Sequence, residues 1–444
     1  MDELALLLLV LSSVGVFVWG LKRPERIYQF PFVISCVFVG LILPEAYGLY
    51  GDTRLPAGGY ALTMVMAALC MYAIYAGFAA KSAPMKAFDW KLDDRRLLEA
   101  AAFLSIMGAS FNFILRNLPE EQLRIDTGWT GVNLIYLFFA LAQNYGFGLA
   151  ALCYARKRSR FALILCLFDF AWFFGIIVVS GRRSFTTQII LTMVTAAWFG
   201  RRWVLPRPLV VAGFVAGVLM VNSIGQYRAL TNATYGGENG KMPTLEEFMD
   251  IDFLGNTMKF ARGEIEGGDL RNGVYAISAT NETMNYNLGA FYWNALVFRY
   301  VPRQLVGDDV EAFLTINLVD KTQNLYGYEV RPGECITGMA DLFAMFGLFG
   351  AFIFYLYGRV MRTLWDAAMG GNIVAQLTYG TLLMPGMISV THASTEFVTV
   401  YIHFAIFALP ALMWARLTPD TVPPLPAMAR PGAPEPVDLP AGSR

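Results

Sequence analysis

The chain has 444 residues, 56% hydrophobic and only 15% charged, with 34 basic against 34 acidic side chains and a mean hydropathy of +0.48. Soluble chains carry about 25% charged residues, so this composition excludes an ordinary soluble domain, and the balanced charge leaves no footprint for nucleic acid. The two histidines and five cysteines show no zinc or iron–sulfur spacing and no disulfide framework, Cys335 lying alone in a long polar stretch.

The first segment, MDELALLLLVLSSVGVFVWG, has no basic residues ahead of its apolar run, and basic residues follow it. That polarity is wrong for a cleaved signal peptide, so a first membrane helix is expected, entering with the N-terminus outside. A bilayer core about 30 Å thick needs roughly 20 apolar residues per helix. Runs of that length lie near 3–20, 28–48, 59–80, 97–115, 131–154, 161–180, 184–200, 208–225, 337–358, 372–392 and 397–415. About eleven transmembrane helices follow.

The connections divide by charge. KRPER, residues 81–96, RKRSR, RRWVLPR and RVMR hold 17 Lys and Arg, while 49–58, 116–130, 181–183 and 393–396 hold five. Basic loops stay in the cytoplasm, which predicts an outer N-terminus, a cytoplasmic C-terminus and a large outer loop over 226–336. Inside that loop MNYNLGAFYWNALVFRYVP (284–302) is apolar, but Asn285, Asn287, Asn294 and Arg299 argue against a span. It reads as an interfacial helix with Tyr286, Tyr292, Trp293 and Tyr300 at headgroup level. The expected organisation is a bundle over 1–225, the loop over 226–336, further helices over 337–416, and a disordered Pro- and Ala-rich tail over 417–444. No internal repeat is visible.

Candidate chemistry gathers on the outer face. Arg182 and Arg183, in VVSGRRSF, break the charge asymmetry and sit in a tight turn between two helices. A guanidinium binds phosphate oxygens through two parallel hydrogen bonds, so this turn suits an anion at headgroup depth; snorkelling to ordinary lipid phosphates is the simpler reading. Arg228, Arg299 and Arg303 add cations from the loop, or pair with loop carboxylates such as Glu264, Glu266 and Asp269. Glu334 and Asp341 flank the entry to the ninth helix. Asp341 lies one turn inside, where an ionised group is expensive, and it is the preferred proton acceptor. His392, with Glu396 nearby, is the alternative; Asp169 and His403 read as bundle-interior residues. The Asn-, Tyr- and Gly-rich pieces NATYGGENG, SATNETMNYN and LYGYE suit carbohydrate, as they also suit any irregular loop.

Three of these features together resemble bacterial O-antigen and exopolysaccharide repeat-unit polymerases of the Wzy type. They are the SGRRS turn at 180–184, the FRYVPRQL segment in a long loop, and GMADLFAMFGLFG at 338–350. The last is similar to the family's acidic–x–aromatic–x–x–Phe-Gly–x–x–Gly helix start, with Asp341 where Glu is common and Phe343 where Tyr is common. The resemblance implies a glycosyltransferase C-type membrane bundle in the bacterial inner membrane. It would perform inverting glycosyl transfer from an undecaprenyl-pyrophosphate-linked oligosaccharide to another lipid-linked repeat unit. No metal or cofactor would be needed, arginines stabilising the departing pyrophosphate, and a chain-length regulator is a possible partner. Competing readings are an O-antigen ligase using His392, and a transporter or flippase of lipid-linked sugars. A transporter calls for ionisable residues along a central path, often with repeat symmetry.

Overall fold

The computed structural model describes residues 1–82, 85, 88–117, 132–181, 183–231, 242–262, 264, 268–301, 306–319, 321–331 and 334–417. Among these the chain is helical, with no strand beyond an isolated bridge between Leu92 and Arg416. It begins with α1 (Asp2–Leu21), α2 (Phe30–Leu49), α3 (Gly59–Ala79), α4 (Asp94–Arg116) and α5 (Ile135–Lys157). Next come α6 (Arg160–Ser180), α7 (Arg183–Arg201), α8 (Arg207–Asn222) and α9 (Ile224–Thr231). The loop contributes α10 (Leu245–Met249), α11 (Phe253–Ala261), α12 (Asp269–Thr283), α13 (Ala290–Tyr300), α14 (Asp308–Leu314) and α15 (Lys321–Tyr326). The chain closes with α16 (Gly338–Met369), α17 (Ile373–Thr391) and α18 (Glu396–Trp414).

Eight helices among the described residues, α1–α5 and α16–α18, are long and apolar enough to cross a membrane, and α8 with α9 makes a ninth if that pair, bent by 58°, is one span. The chain is thus a multi-pass, all-α membrane protein. Eleven spans were expected; the other two, near 161–180 and 184–200, are helices α6 and α7 but are not among the eight. The third span from the end differs too. The expected 337–358 run continues to Met369, because the basic RVMR segment stays helical within α16. Pro residues and π turns mark the irregular helices: Phe38–Ile42 in α2, Phe404–Ala408 in α18, and Pro385 inside α17. The tail from 418 onward lies outside the described residues.

Close packing follows from small residues on facing helices. A Cβ on Gly77 of α3 would sit 2.1 Å from the Tyr355 carbonyl oxygen of α16, and one on Gly358 would sit 2.4 Å from that of Ile74. The two backbones touch where neither residue carries a side chain. Helices α4, α5 and α6 are tied by polar groups instead. Asp169 is fully buried and accepts from the Ser105 hydroxyl at 2.7 Å and the Gln143 amide at 3.0 Å, and Asn112 donates to Gln143 at 2.8 Å. Both donors, Ser105 and Gln143, are neutral, which fits an interhelical clasp.

The basic loops meet at one end of the bundle. Arg202 donates to the Met369 carbonyl at 2.9 Å, Arg207 to that of Lys22 at 2.9 Å, and Asn372 to that of Phe88 at 2.8 Å. Leu417 N–H reaches Lys91 O at 2.9 Å. The loop helices pack on the opposite end. The longest of those described, α12, has 15 residues, and the apolar stretch 284–302 is helical only over Ala290–Tyr300, too short to span.

Candidate functional site

The end away from the basic loops is organised around α12. Gly268 before it has no side chain to cap the helix, and Glu45, near the end of α2, reaches across instead. Its Oε1 accepts the N–H groups of Leu270 at 2.9 Å and Arg271 at 3.3 Å. A carboxylate there satisfies otherwise unpaired donors and complements the positive helix end. Arg271 then turns to Asp52 at 3.0 Å, both side chains about a tenth exposed. Asp52 also takes Arg54 at 2.9 Å. The Arg54 hydrogen bonds, with Arg271 assisting against burial, hold the Asp52 carboxyl down at about 2. One turn further, the Asn272 amide donates to Glu334 Oε2 and to Cys335 O, both at 3.1 Å, and accepts from the Tyr328 hydroxyl at 2.5 Å. The Tyr328 ring stacks on Tyr275, centroids 3.8 Å apart. Helix α12 is thereby sunk into the bundle, with Leu270 to Val274 buried.

Asp269, its first residue, accepts the Cys335 N–H at 3.0 Å. Burial pushes this carboxyl above its ordinary value; the Cys335 N–H and the nearby charges of His392 and Arg183 pull it back, and Glu334 opposes them. His392 ends α17, its Nδ1 2.8 Å from the Thr391 hydroxyl. Burial lowers its imidazole, Asp269 and Glu396 raise it, and Arg183 lowers it further. Burial lowers the Arg183 guanidinium, the nearby Arg228 charge lowers it further, and Asp269 raises it. Arg183, Arg228, Asp269, Glu334 and His392, from five separate stretches of chain, therefore gather in one charged mouth. Both arginines reach solvent, Arg183 from among close-packed neighbours that desolvate it.

Beside it, Arg299 on α13 is engaged by Glu396, with N–O distances of 2.6 and 3.3 Å, and by Thr399 Oγ1 at 2.8 Å. Burial disfavours this guanidinium, but the Glu396 carboxylate outweighs it and holds Arg299 above its ordinary value. The pair lines a cavity of about 510 Å³ whose other walls are mostly apolar, among them Phe138, Phe185, Phe298 and Ile388, with His403 at one side. His403 lies against the rings of Phe138 and Tyr300.

Of the expected site residues, Arg183, Arg228, Glu334 and His392 come together. Arg299 is adjacent but already partnered by a carboxylate, Glu396, from a distant helix rather than by the loop carboxylates that had been considered. Asp341 lies deeper, near Cys335 as Asp269, Glu334 and Glu396 are. It is 2% exposed, its Oδ2 accepts Ser394 N–H at 3.1 Å, and its Oδ1 has no partner. Tyr357 binds Ser394 O at 2.9 Å, and Tyr292 meets Tyr357 at 2.7 Å. One carboxylate oxygen of Asp341 therefore ties the start of α16 to the 392–396 turn. Arg182, Arg303, Glu266 and the NATYGGENG segment lie outside the described residues.

The aromatic tips of the 284–302 segment are used by the protein. Trp293 donates to Leu314 O at 2.7 Å and Tyr300 to Thr399 O at 2.9 Å, because the short helix folds onto the mouth. Glu45, Asp52, Arg271 and Asn272 were missed from sequence. Glu45 was findable, being a carboxylate inside an apolar run like Asp341. No family model, curated protein or solved structure matches the chain.

Proposed function

We propose that this protein is a membrane glycosyltransferase that joins polyprenyl-pyrophosphate-linked oligosaccharide repeat units into a longer glycan. The supporting observation is the shared mouth, where Arg183 and Arg228 lie within electrostatic range of one another and Arg183 within range of Asp269 and His392, at the bundle end away from the basic loops and beside an apolar cavity. In this reading that end faces the periplasm, and the protein sits in the inner membrane.

The reaction follows from the groups present. The diphosphate of the donor lies against Arg183 and Arg228, with the neighbouring Arg182 joining them. The acceptor hydroxyl attacks the anomeric carbon from the opposite side, and the bond to the pyrophosphate oxygen breaks. The leaving group departs as an anion, stabilised by charge-assisted hydrogen bonds worth roughly 1.5–3 kcal/mol each. The acceptor proton passes to His392, whose imidazole is kept neutral by burial and whose Nδ1 meets the Thr391 hydroxyl at 2.8 Å. Asp341, preferred from sequence, is assigned here to holding the turn that carries His392. The apolar cavity under Arg299 accommodates the first isoprene units of the lipid, so that the tail stays in an apolar medium while the diphosphate reaches the mouth.

The test is the purified protein in lipid nanodiscs with a polyprenyl-pyrophosphate-linked oligosaccharide. The expected products are a ladder of longer glycans and free polyprenyl pyrophosphate in equal number to new linkages. Release of pyrophosphate lipid without a ladder, only on addition of a lipid A-type acceptor, supports the ligase reading that His392 at the mouth also accommodates. Neither product under any acceptor condition removes the glycosyltransferase reading.

A further inference from the structure

The loop carries an apolar strip that no intramolecular contact covers. Leu245 and Met249 on α10 are 79% and 72% exposed, and Leu254 and Met258 on α11 are 70% and 57% exposed. Each pair is spaced by four, so each lies on one helix face. The same two helices turn their other sides inward. Phe248 packs on Tyr227 and Phe253, Ile251 is buried, and Asn256 donates to Gln226 at 2.7 Å. The exposure is therefore not a sign of loose structure. A Thr244–Glu247 capping box fixes the start of α10.

What covers the strip is indicated by where it sits. Helix α11 packs directly on α8. None of the 16 residues of α8 is buried, and Leu209, Val215 and Met220 project from it about half exposed. Such a helix is solvated by acyl chains rather than water. The strip continues that lipid-facing wall at the level where the chain bends by 58° into α9.

We propose that α10 and α11 form an interfacial anchor whose apolar face dips into the bilayer leaflet on the site's side, with lipid acyl chains as its partner. The exposed Glu246, Asp250 and Lys259 stay on the aqueous side. Because α10 and α11 grip α9 through Tyr227 and Gln226, the anchor sets the depth of Arg228 relative to the headgroups. The anchoring stands on the strip alone; its consequence for Arg228 rests on the proposed glycosyl transfer.

Two measurements test it on the full chain. In nanodiscs of phosphatidylethanolamine and phosphatidylglycerol, nitroxides at 245, 249, 254 and 258 should be more accessible to oxygen than to a water-soluble nickel chelate. Those at 246 and 250 should show the reverse order. Because replacing the five native cysteines for labelling could disturb folding, a benzoylphenylalanine at 254 in the otherwise native chain gives a second readout. Illumination should yield a phospholipid adduct, and Leu254→Glu with Met258→Glu, read from the same probe moved to 245, should reduce that adduct several-fold at equal protein level. Water-like accessibility at all six positions, or crosslinks to a second copy or another protein in place of lipid, would overturn the anchor. If the lipid adduct forms but the double variant leaves polymer synthesis unchanged, the anchor stands and its link to Arg228 fails.

Discussion

Glu396 holds Arg299 through both carboxylate oxygens, at 2.6 and 3.3 Å, and joins the start of α18 to a loop helix 97 residues away in sequence. The pair is about a quarter to a third exposed, so it is neither a free surface contact nor a sealed one. An anion entering the mouth must compete with Glu396 for this guanidinium. Glu396→Gln is expected to tighten inorganic pyrophosphate binding several-fold, measured by calorimetry in detergent. Arg299→Ala should lower thermal stability by about 1–3 kcal/mol, and Arg299→Ala with Glu396→Ala should recover part of that loss. Equal destabilisation by the single and double variants would mean that the pair carries no coupling.

Arg182, Arg183 and Arg228 should behave as anion binders. Arg183→Ala, and likewise Arg182→Ala or Arg228→Ala, should reduce polymer at least tenfold while leaving membrane insertion and protein level intact. Arg183→Lys should rescue poorly, since a point charge cannot reproduce two parallel hydrogen bonds. Full polymer from all three alanine variants would return these residues to lipid snorkelling.

Asp341 and His392 separate chemistry from support. Asp341→Asn keeps an oxygen for the Ser394 N–H and should still give a ladder, whereas Asp341→Ala should cost about 1–3 kcal/mol by leaving that buried donor unpaired. His392→Ala should abolish transfer with little change in melting temperature. Loss of the ladder in Asp341→Asn with a normal ladder in His392→Ala would reverse the two assignments.

The direction of the His392 shift gives a pH test. Burial disfavours the imidazolium, so the neutral, proton-accepting form persists below the free imidazole value of about 6.5. The acid limb of the rate should therefore fall below that value. Asp269→Asn removes a charge that raises His392 and should move the limb lower still. Initial rates in nanodiscs between pH 4.5 and 8 would show either shift; a limb above 6.5 contradicts the assignment.

Glu45 fixes the docking of α12 by capping its otherwise unpaired first N–H groups. Glu45→Ala should cost about 1 kcal/mol, the usual value for a lost helix cap, and should speed limited proteolysis between residues 262 and 270. The Asp52–Arg271 pair adds an acid limit. Because the folded carboxyl is held at about 2, its contribution is complete above the ordinary value near 4 and is lost as pH falls towards 2. Protease resistance of the segment should hold at pH 5 and drop below pH 3.

Hydropathy alone determined the class. Long apolar runs must become helices in a bilayer, since no water is there to satisfy the backbone, and each expected span coincides with a helix. The charge division between loops likewise anticipated that the basic segments share one end. Arg183, Arg228, Glu334 and His392 were visible because ionisable groups are rare in such a chain. Their association was not visible, for it depends on α12 being drawn into the bundle by Glu45, Asp52 and Glu334, three carboxylates separated from it by up to 225 residues. Asp341 shows the limit from the other side. A costly buried carboxylate announces that it has a role, but its bonded partner, the Ser394 N–H, comes from 53 residues away and was not legible in the sequence. Local sequence sets where a helix forms and what it can bury; only the packing of distant helices decides which polar groups are left open at a shared mouth.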